Sequence, residues 1–248
     1  MRIAVIGASG TLGRPTIDVL QRRDHEVRKL SRSSRSHPVD LTTGAGLEDA
    51  LRNIEVVINA SNGPPSGKRA QEAVLVDGTK RLLEATAAHH VCISIVGIEN
   101  VPFGYYRAKL EQEATVRGSG RPFTILRATQ FHGLLGQPLL KVASWHLELR
   151  SSARFQPVEV VEVAQAVADV AERAPRYGTL TVAGPEILTL TKLRAGRGLP
   201  VPLPLPPKVG NALKRGELTI ADPDVRGKIR YSHWLALNRN GRPRRAQR

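Results

Sequence analysis

Gly7-Ala8-Ser9-Gly10-Thr11-Leu12-Gly13 follows the aliphatic run Ile3-Ala4-Val5-Ile6 and opens a stretch of helical spacing. Glycines so spaced let the chain turn tightly, bring backbone N–H groups against a pyrophosphate, and pack a helix closely on a strand. With a strand before it and a helix after it, the pattern points to a bound dinucleotide rather than to a plain turn. Gly7, Ser9, Gly10, Thr11, Leu12 and Gly13 would form the cradle. About 20 residues further on, an NAD site carries an acid for the ribose 2′-hydroxyl. This chain instead reads Leu30-Ser31-Arg32-Ser33-Ser34-Arg35. A guanidinium matches a 2′-phosphate in charge and geometry, and a serine adds hydrogen bonds. Arg32 with Ser31, then Arg35, are the candidates, and Arg14 could help from the helix start. NADP(H) is therefore expected ahead of NAD(H); the plain alternative is a solvated basic loop.

Tyr105 and Lys109 stand four residues apart, so on a helix they share a face. A free tyrosine ionises near pH 10. A nearby ammonium favours the phenolate and tunes the group for proton transfer to a carbonyl oxygen. His132 follows a later strand, where it could touch substrate or make a structural hydrogen bond. His89-His90 are expected at a helix C-terminus, where positive charge is favourable. No acid or cysteine lies at ligand spacing from them, so no metal is expected. Glu111 and Glu113 read as solvated helix residues, and Tyr106 as core.

The elements that must carry these groups alternate. Strands are expected at 3–6, 26–30, 55–59, 91–95, 123–126 and 180–183, and helices at 11–22, 68–89, 105–117 and 158–173. Such alternation implies an α/β fold, a doubly wound parallel sheet with ligands at the carboxyl ends of its strands. Prolines from Leu199 to Pro207 imply an extended segment.

Among 248 residues, 37 Lys and Arg stand against 22 Asp and Glu, a formal charge of +15. The excess is scattered except in the basic tail 239–248, expected to be disordered. No helix-turn-helix, zinc-finger or aromatic RNA-binding pattern accompanies it, so nucleic acid is not the expected partner. The single cysteine, Cys92, excludes a disulfide framework. No apolar stretch is long enough for a membrane span and no signal peptide is evident, so a cytoplasmic protein is expected.

The early glycines together with Tyr105-Tyr106-Arg107-Ala108-Lys109 resemble a short-chain dehydrogenase/reductase. Ile93-Ser94-Ile95-Val96-Gly97 and Leu126-Arg127-Ala128-Thr129-Gln130-Phe131-His132 resemble its atypical, NmrA-like or extended branch. The resemblance implies a Rossmann fold over 1–238, with a small C-terminal lobe (about 133–155 and 184–238) closing on a small-molecule substrate. It implies Tyr105 as proton donor, Lys109 as its electrostatic partner, and Ser94 as an imperfect substitute for the family's second hydroxyl, since Ile95 follows it. Asp40 and Leu41 would meet the adenine, and Asn59-Ala60-Ser61 would pass under the ribose. Lys109 and Thr129 would lie beside the nicotinamide, with Gln130, Phe131 and His132 towards substrate. The activity implied is hydride transfer between NADP(H) and a carbonyl, quinone or similar electrophile; a homodimer is also compatible. Some NmrA-like proteins bind NADP without turnover, so a regulator or redox sensor acting through a protein partner is the alternative.

Overall fold

The computed structural model describes residues 1–63, 67–137, 147–193, 199–202 and 205–238. The tail 239–248, Pro64-Pro65-Ser66, and part of the expected substrate lobe lie outside the described residues.

Seven parallel strands form the main sheet: β1 (Arg2–Ile6), β2 (Glu26–Leu30), β3 (Val56–Asn59), β4 (His89–Ile95), β5 (Phe123–Ala128), β8 (Thr179–Ala183) and β11 (Val225–Arg226). Their order is β11-β8-β5-β4-β3-β1-β2. Two small sheets stand apart: β6 (Leu147–Arg150) pairs in parallel with β10 (Leu199–Pro202), and β7 (Arg154–Phe155) pairs antiparallel with β9 (Leu188–Thr189).

Successive side chains of a strand point to opposite faces. In β1 this sends Ile3 and Val5 into one core and Ala4 and Ile6 into another. The first core is closed by α1 (Gly13–Arg22) and α7 (Val160–Ala171), through Ile17, Val19 and Leu20 against Val163, Ala166, Val167 and Val170. On the other face lie α2 (Leu47–Leu51), α3 (Lys68–Glu72), α4 (Gly78–Ala85) and α5 (Gly104–Arg117), with Leu47, Leu51 and Leu82 in the core. Burial on both faces explains why the central strands are apolar throughout instead of alternating. The sheet is a Rossmann-type α/β fold, as the alternation of elements predicts.

A further core joins Ile98 and Val101 after β4 to Phe155, Leu190 and Leu193, to Val209 and Leu213 of α8 (Pro207–Arg215), and to Tyr231 of α9 (Tyr231–Asn238). Residues 132–137 form α6 among the described residues.

Two expectations need correction. The long helix from Lys68 contains a π-helical turn, Ala73–Asp77, and ends at Ala85, with Thr86 extended. His89 and His90 accordingly do not serve a helix C-terminus; they begin β4, pair with Val56 and Val57, and are buried. Burial pushes both imidazoles down to about 4. The segment from Leu199 is extended where it is described: Leu199–Pro202 form β10, Pro206 has φ −53° and ψ 138°, and Pro207 opens α8, where its missing N–H costs nothing. Among the described residues no helix is long and apolar enough to cross a membrane.

Candidate functional site

Strand β1 lies between β2 and β3, so the connections on its two sides wind in opposite directions. That reversal opens a crevice at the carboxyl ends of the strands. Both walls of the crevice come from short turns. Gly7 adopts φ +76°, and a Cβ there would sit 2.6 Å from the carbonyl oxygen of Ala60 in the turn after β3. A Cβ on Gly13 would strike the carbonyl of Gly7. The N–H groups of Gly7 and Ala8 donate to Leu30, and that of Gly10 donates to Gly7. Those of Ser9, Thr11, Leu12 and Gly13 find no acceptor among the described residues. They crown the positive end of α1, whose first turn holds no acid. A cradle that excludes side chains and leaves donors free fits a pyrophosphate.

The neighbouring rim is basic. Arg14 Nε donates to the Ser9 carbonyl at 2.9 Å. Arg32 and Arg35 are exposed, and Ser31 forms an isolated parallel bridge with Pro38. Asp40 accepts from the hydroxyl and N–H of Thr42 at 2.6 and 2.8 Å. Those bonds, with the charges of Arg32 and Arg81, hold its carboxyl below the usual range. Leu41 is buried in the core under α4, where a Cβ on Gly78 would lie 2.8 Å from Leu41 Cβ.

A buried polar chain runs from the β3 turn to α5. Ser61 donates through its hydroxyl to Asn59 Oδ1 at 2.6 Å, and Asn59 Nδ2 donates to Thr79 Oγ1 at 3.1 Å. Gln112 Nε2 also donates to Thr79 Oγ1, at 2.9 Å. Lys109 Nζ donates to Gln112 Oε1 and to the Ile93 carbonyl, both at 2.7 Å. Burial lowers the Lys109 pKa, against the attraction of Cys92 and Glu113.

Tyr105 stands a turn earlier on α5, half-buried, its hydroxyl donating to Asn62 Oδ1 at 2.5 Å. Burial, reinforced by Tyr106, pushes its phenol up to about 12. The ease of ionisation expected from Lys109 is thus not present in this arrangement, because the ammonium is turned into the buried chain.

Ser94 is buried on β4 beside Glu113; its hydroxyl makes no close hydrogen bond among the described residues but helps hold that carboxyl down. Glu113 is not a solvated helix residue. It is fully buried and accepts from Arg127 Nε and Nη2 and from Arg117 Nη1, each at 2.9 Å. Burial would raise its carboxyl, and those arginines with Ser94 overcome that and lower it.

After β5, Thr129 Oγ1 accepts from the Gly184 N–H at 3.2 Å. Gln130 donates to the Leu218 carbonyl at 3.0 Å and accepts from the Gln156 N–H at 3.0 Å. Phe131 bridges to Val158. His132 is 1% exposed, between Glu159 Oε2 and the Pro157 carbonyl, both at 3.1 Å, with its ring edge against Tyr231. All four tie the sheet to the later segments. Sequence reasoning missed Asn62, Thr79, Gln112 and the Glu113–Arg127 pair. Only Gln112 carried a local signal, three residues after Lys109 on one helix face.

A parallel sheet with a glycine turn at its switch point defines a Rossmann-type dinucleotide-binding protein. Residues 7–173 match the NAD(P)H-binding family, and the chain belongs to that family. It is similar to photosystem II assembly factor Ycf39 from Cyanophora paradoxa, 31% identical over 156 residues, covering 55% of this chain and 48% of that protein. It is also similar to Ycf39 from Trieres chinensis, 29% identical over 161 residues and covering 57% and 50%. The chain thus spans about half the length of these curated relatives.

Among solved structures, MoeE5 with UDP-glucuronic acid and NAD has a TM-score of 0.79 at 15% identity, covering 97% of this chain and 98% of that one. A short-chain dehydrogenase/reductase superfamily protein from Agrobacterium tumefaciens with bound NAD has 0.74 at 17%, covering 97% and 96%. At such identities the likeness is one of fold. The chain is an NAD(P)H-binding family member, and it shares the Rossmann fold that the resemblance to short-chain dehydrogenases/reductases implies.

Proposed function

We propose that the protein is an NADP(H)-dependent oxidoreductase acting on a carbonyl, quinone or similar small-molecule electrophile. The observation that carries this reading is the position of Tyr105, its hydroxyl one hydrogen bond from the loop after β3 and its ring at the edge of an open hollow. A neutral phenol is the form that gives a proton to a developing alkoxide. When bound, the nicotinamide supplies the hydride. The chain's own residues bind and orient. The glycine cradle holds the pyrophosphate, and Ser31, Arg32 and Arg35 hold the 2′-phosphate. Asp40 and Leu41 border the adenine; Asn59, Ala60, Ser61, Lys109 and Thr129 border the ribose and nicotinamide. Gln130, Phe131 and His132, with the small lobe at about 133–155 and 184–238, border the substrate.

Calorimetric titration with NADPH and NADH at fixed salt tests the cofactor half. Micromolar binding with NADPH ahead supports the reading, and Arg32→Ala should then weaken NADPH at least tenfold while sparing NADH. Equal weakening would remove the 2′-phosphate assignment. Tyr105→Phe should keep cofactor affinity and lose turnover; unchanged turnover would take Tyr105 out of the mechanism.

A second reading is favoured by Lys109, whose ammonium is turned to Ile93 and Gln112, and by Ser94, which faces Glu113. It is an NADP(H)-binding regulator or redox sensor acting through a protein partner, in keeping with relatives named assembly factors. Such a protein would oxidise NADPH with none of a panel of quinones, aldehydes and ketones.

A further inference from the structure

The start of α3 and the first turn of α5 enclose an open hollow of about 350 Å³. That volume lies at the small end of ligand sites. Its lining has a mixed character that packing alone does not require. Phe103 is 51% exposed there, its ring edge-on to Tyr106 with centroids 5.3 Å apart. A large ring left in solvent beside a concavity is a surface for another flat apolar body. Gly104 lines the same space, and a Cβ on it would meet nothing within 4 Å among the described residues, so no described side chain fills that room.

The charges decide what else the ligand carries. Lys68 lies 3.4 Å from Glu72 one turn along α3, so those two charges offset each other on that wall. Arg107 also lines the hollow, is exposed, and makes no side-chain hydrogen bond or ion pair among the described residues. Among the described residues the lining therefore keeps one uncompensated guanidinium, a group that grips a carboxylate through two parallel hydrogen bonds. Tyr105 lines the hollow too.

From these features we infer that the hollow binds a small, flat, unsaturated acid, its carboxylate on Arg107 and its ring or conjugated body against Phe103. Tyr105 borders the same space, so as a substrate assignment the inference rests on the oxidoreductase reading.

The test uses two probes of one shape, 4-carboxybenzaldehyde and 4-methylbenzaldehyde, titrated by calorimetry into the protein saturated with NADP⁺. The carboxylate should bind about tenfold more tightly, and Arg107→Gln should erase the difference while leaving NADP⁺ affinity unchanged. Phe103→Ala should weaken both probes alike. Equal binding of the two probes, a preference that survives Arg107→Gln, or no binding of either would overturn the inference. Oxidation of NADPH by the same aldehydes is measured separately. An Arg107-dependent preference without oxidation would keep the site and remove the reductase reading. Oxidation without the preference would do the reverse.

Discussion

Lys109 donates its ammonium to the carbonyl oxygen of Ile93 at 2.7 Å, across the gap between α5 and β4. An ammonium that is 3% exposed needs acceptors, since burying a charge without them is costly. Gln112 supplies the second and passes the connection through Thr79 to Asn59 and the turn that faces Gly7. The side chain nominated for chemistry is also the end of a buried strut beneath the cofactor crevice.

Gln112→Leu should therefore cost about 2–3 kcal/mol in denaturant unfolding, because it strips one acceptor from a buried cation. Lys109→Met combined with Gln112→Leu should cost less than the sum of the two single changes, since each alone orphans the other. Simple additivity would show that the two do not interact.

Gly7 predicts a second outcome. Alanine there meets a left-handed backbone and the Ala60 carbonyl together, whereas Gly120, φ +66°, has nothing within 4 Å of a Cβ. Gly120→Ala should cost about 1–2 kcal/mol from backbone conformation alone. Gly7→Ala should cost ~3 kcal/mol or more and abolish NAD(P)H binding in the folded fraction. Thermal melts with and without cofactor measure both. Equal costs would mean that the β1 and β3 turns are not in close contact.

The first half of the sheet was legible because its signals are local: an aliphatic run, spaced glycines, then an apolar helix face. The end of the helix before β4 was not. Ala-Thr-Ala-Ala-His-His contains no glycine or proline, and the break at Thr86 comes from His89 and His90 pairing with Val56 and Val57. The role of Glu113 was hidden for another reason. The buried residues of α5 are Ala108, Lys109, Gln112, Glu113 and Val116, helically spaced but mostly polar, so hydrophobic periodicity understates that face. The partner that makes burial tolerable, Arg127, sits on another element, the strand β5. For the site, residue types named the chemistry, but the direction in which Lys109 and Ser94 point depends on neighbours distant in sequence.

Glu113→Gln should be among the costlier single changes. The carboxylate is fully buried and bonded twice to Arg127 and once to Arg117. Losing its charge leaves the Arg127 guanidinium, itself largely buried, with the more exposed Glu99 as its remaining counter-ion among the described residues. A loss of about 3–5 kcal/mol is expected in urea unfolding. Its lowered pKa gives a sign as well. The stabilisation is fully present above the ordinary carboxylate range and is lost as pH falls through the folded value. The variant should therefore lack part of the acid sensitivity below about pH 4.5.

His89 and His90 give an acid transition that begins earlier. Burial holds each imidazole at about 4, against 6.5 for the free group, and the neighbouring His89 charge adds to the effect on His90. The folded protein keeps both rings neutral between those values while the unfolded chain takes up protons. Stability is then complete above pH 6.5 and falls as pH drops towards 4, by at most about 3 kcal/mol per ring. His89 also shares a hydrogen bond with Thr124 Oγ1 at 3.0 Å, which glutamine can keep. His89→Gln and His90→Gln should each lose stability at neutral pH, yet flatten the pH dependence between 6.5 and 4 by one proton. Urea midpoints at half-unit pH steps measure the slope, and a slope unchanged in both variants would assign the early acid transition to groups outside β4.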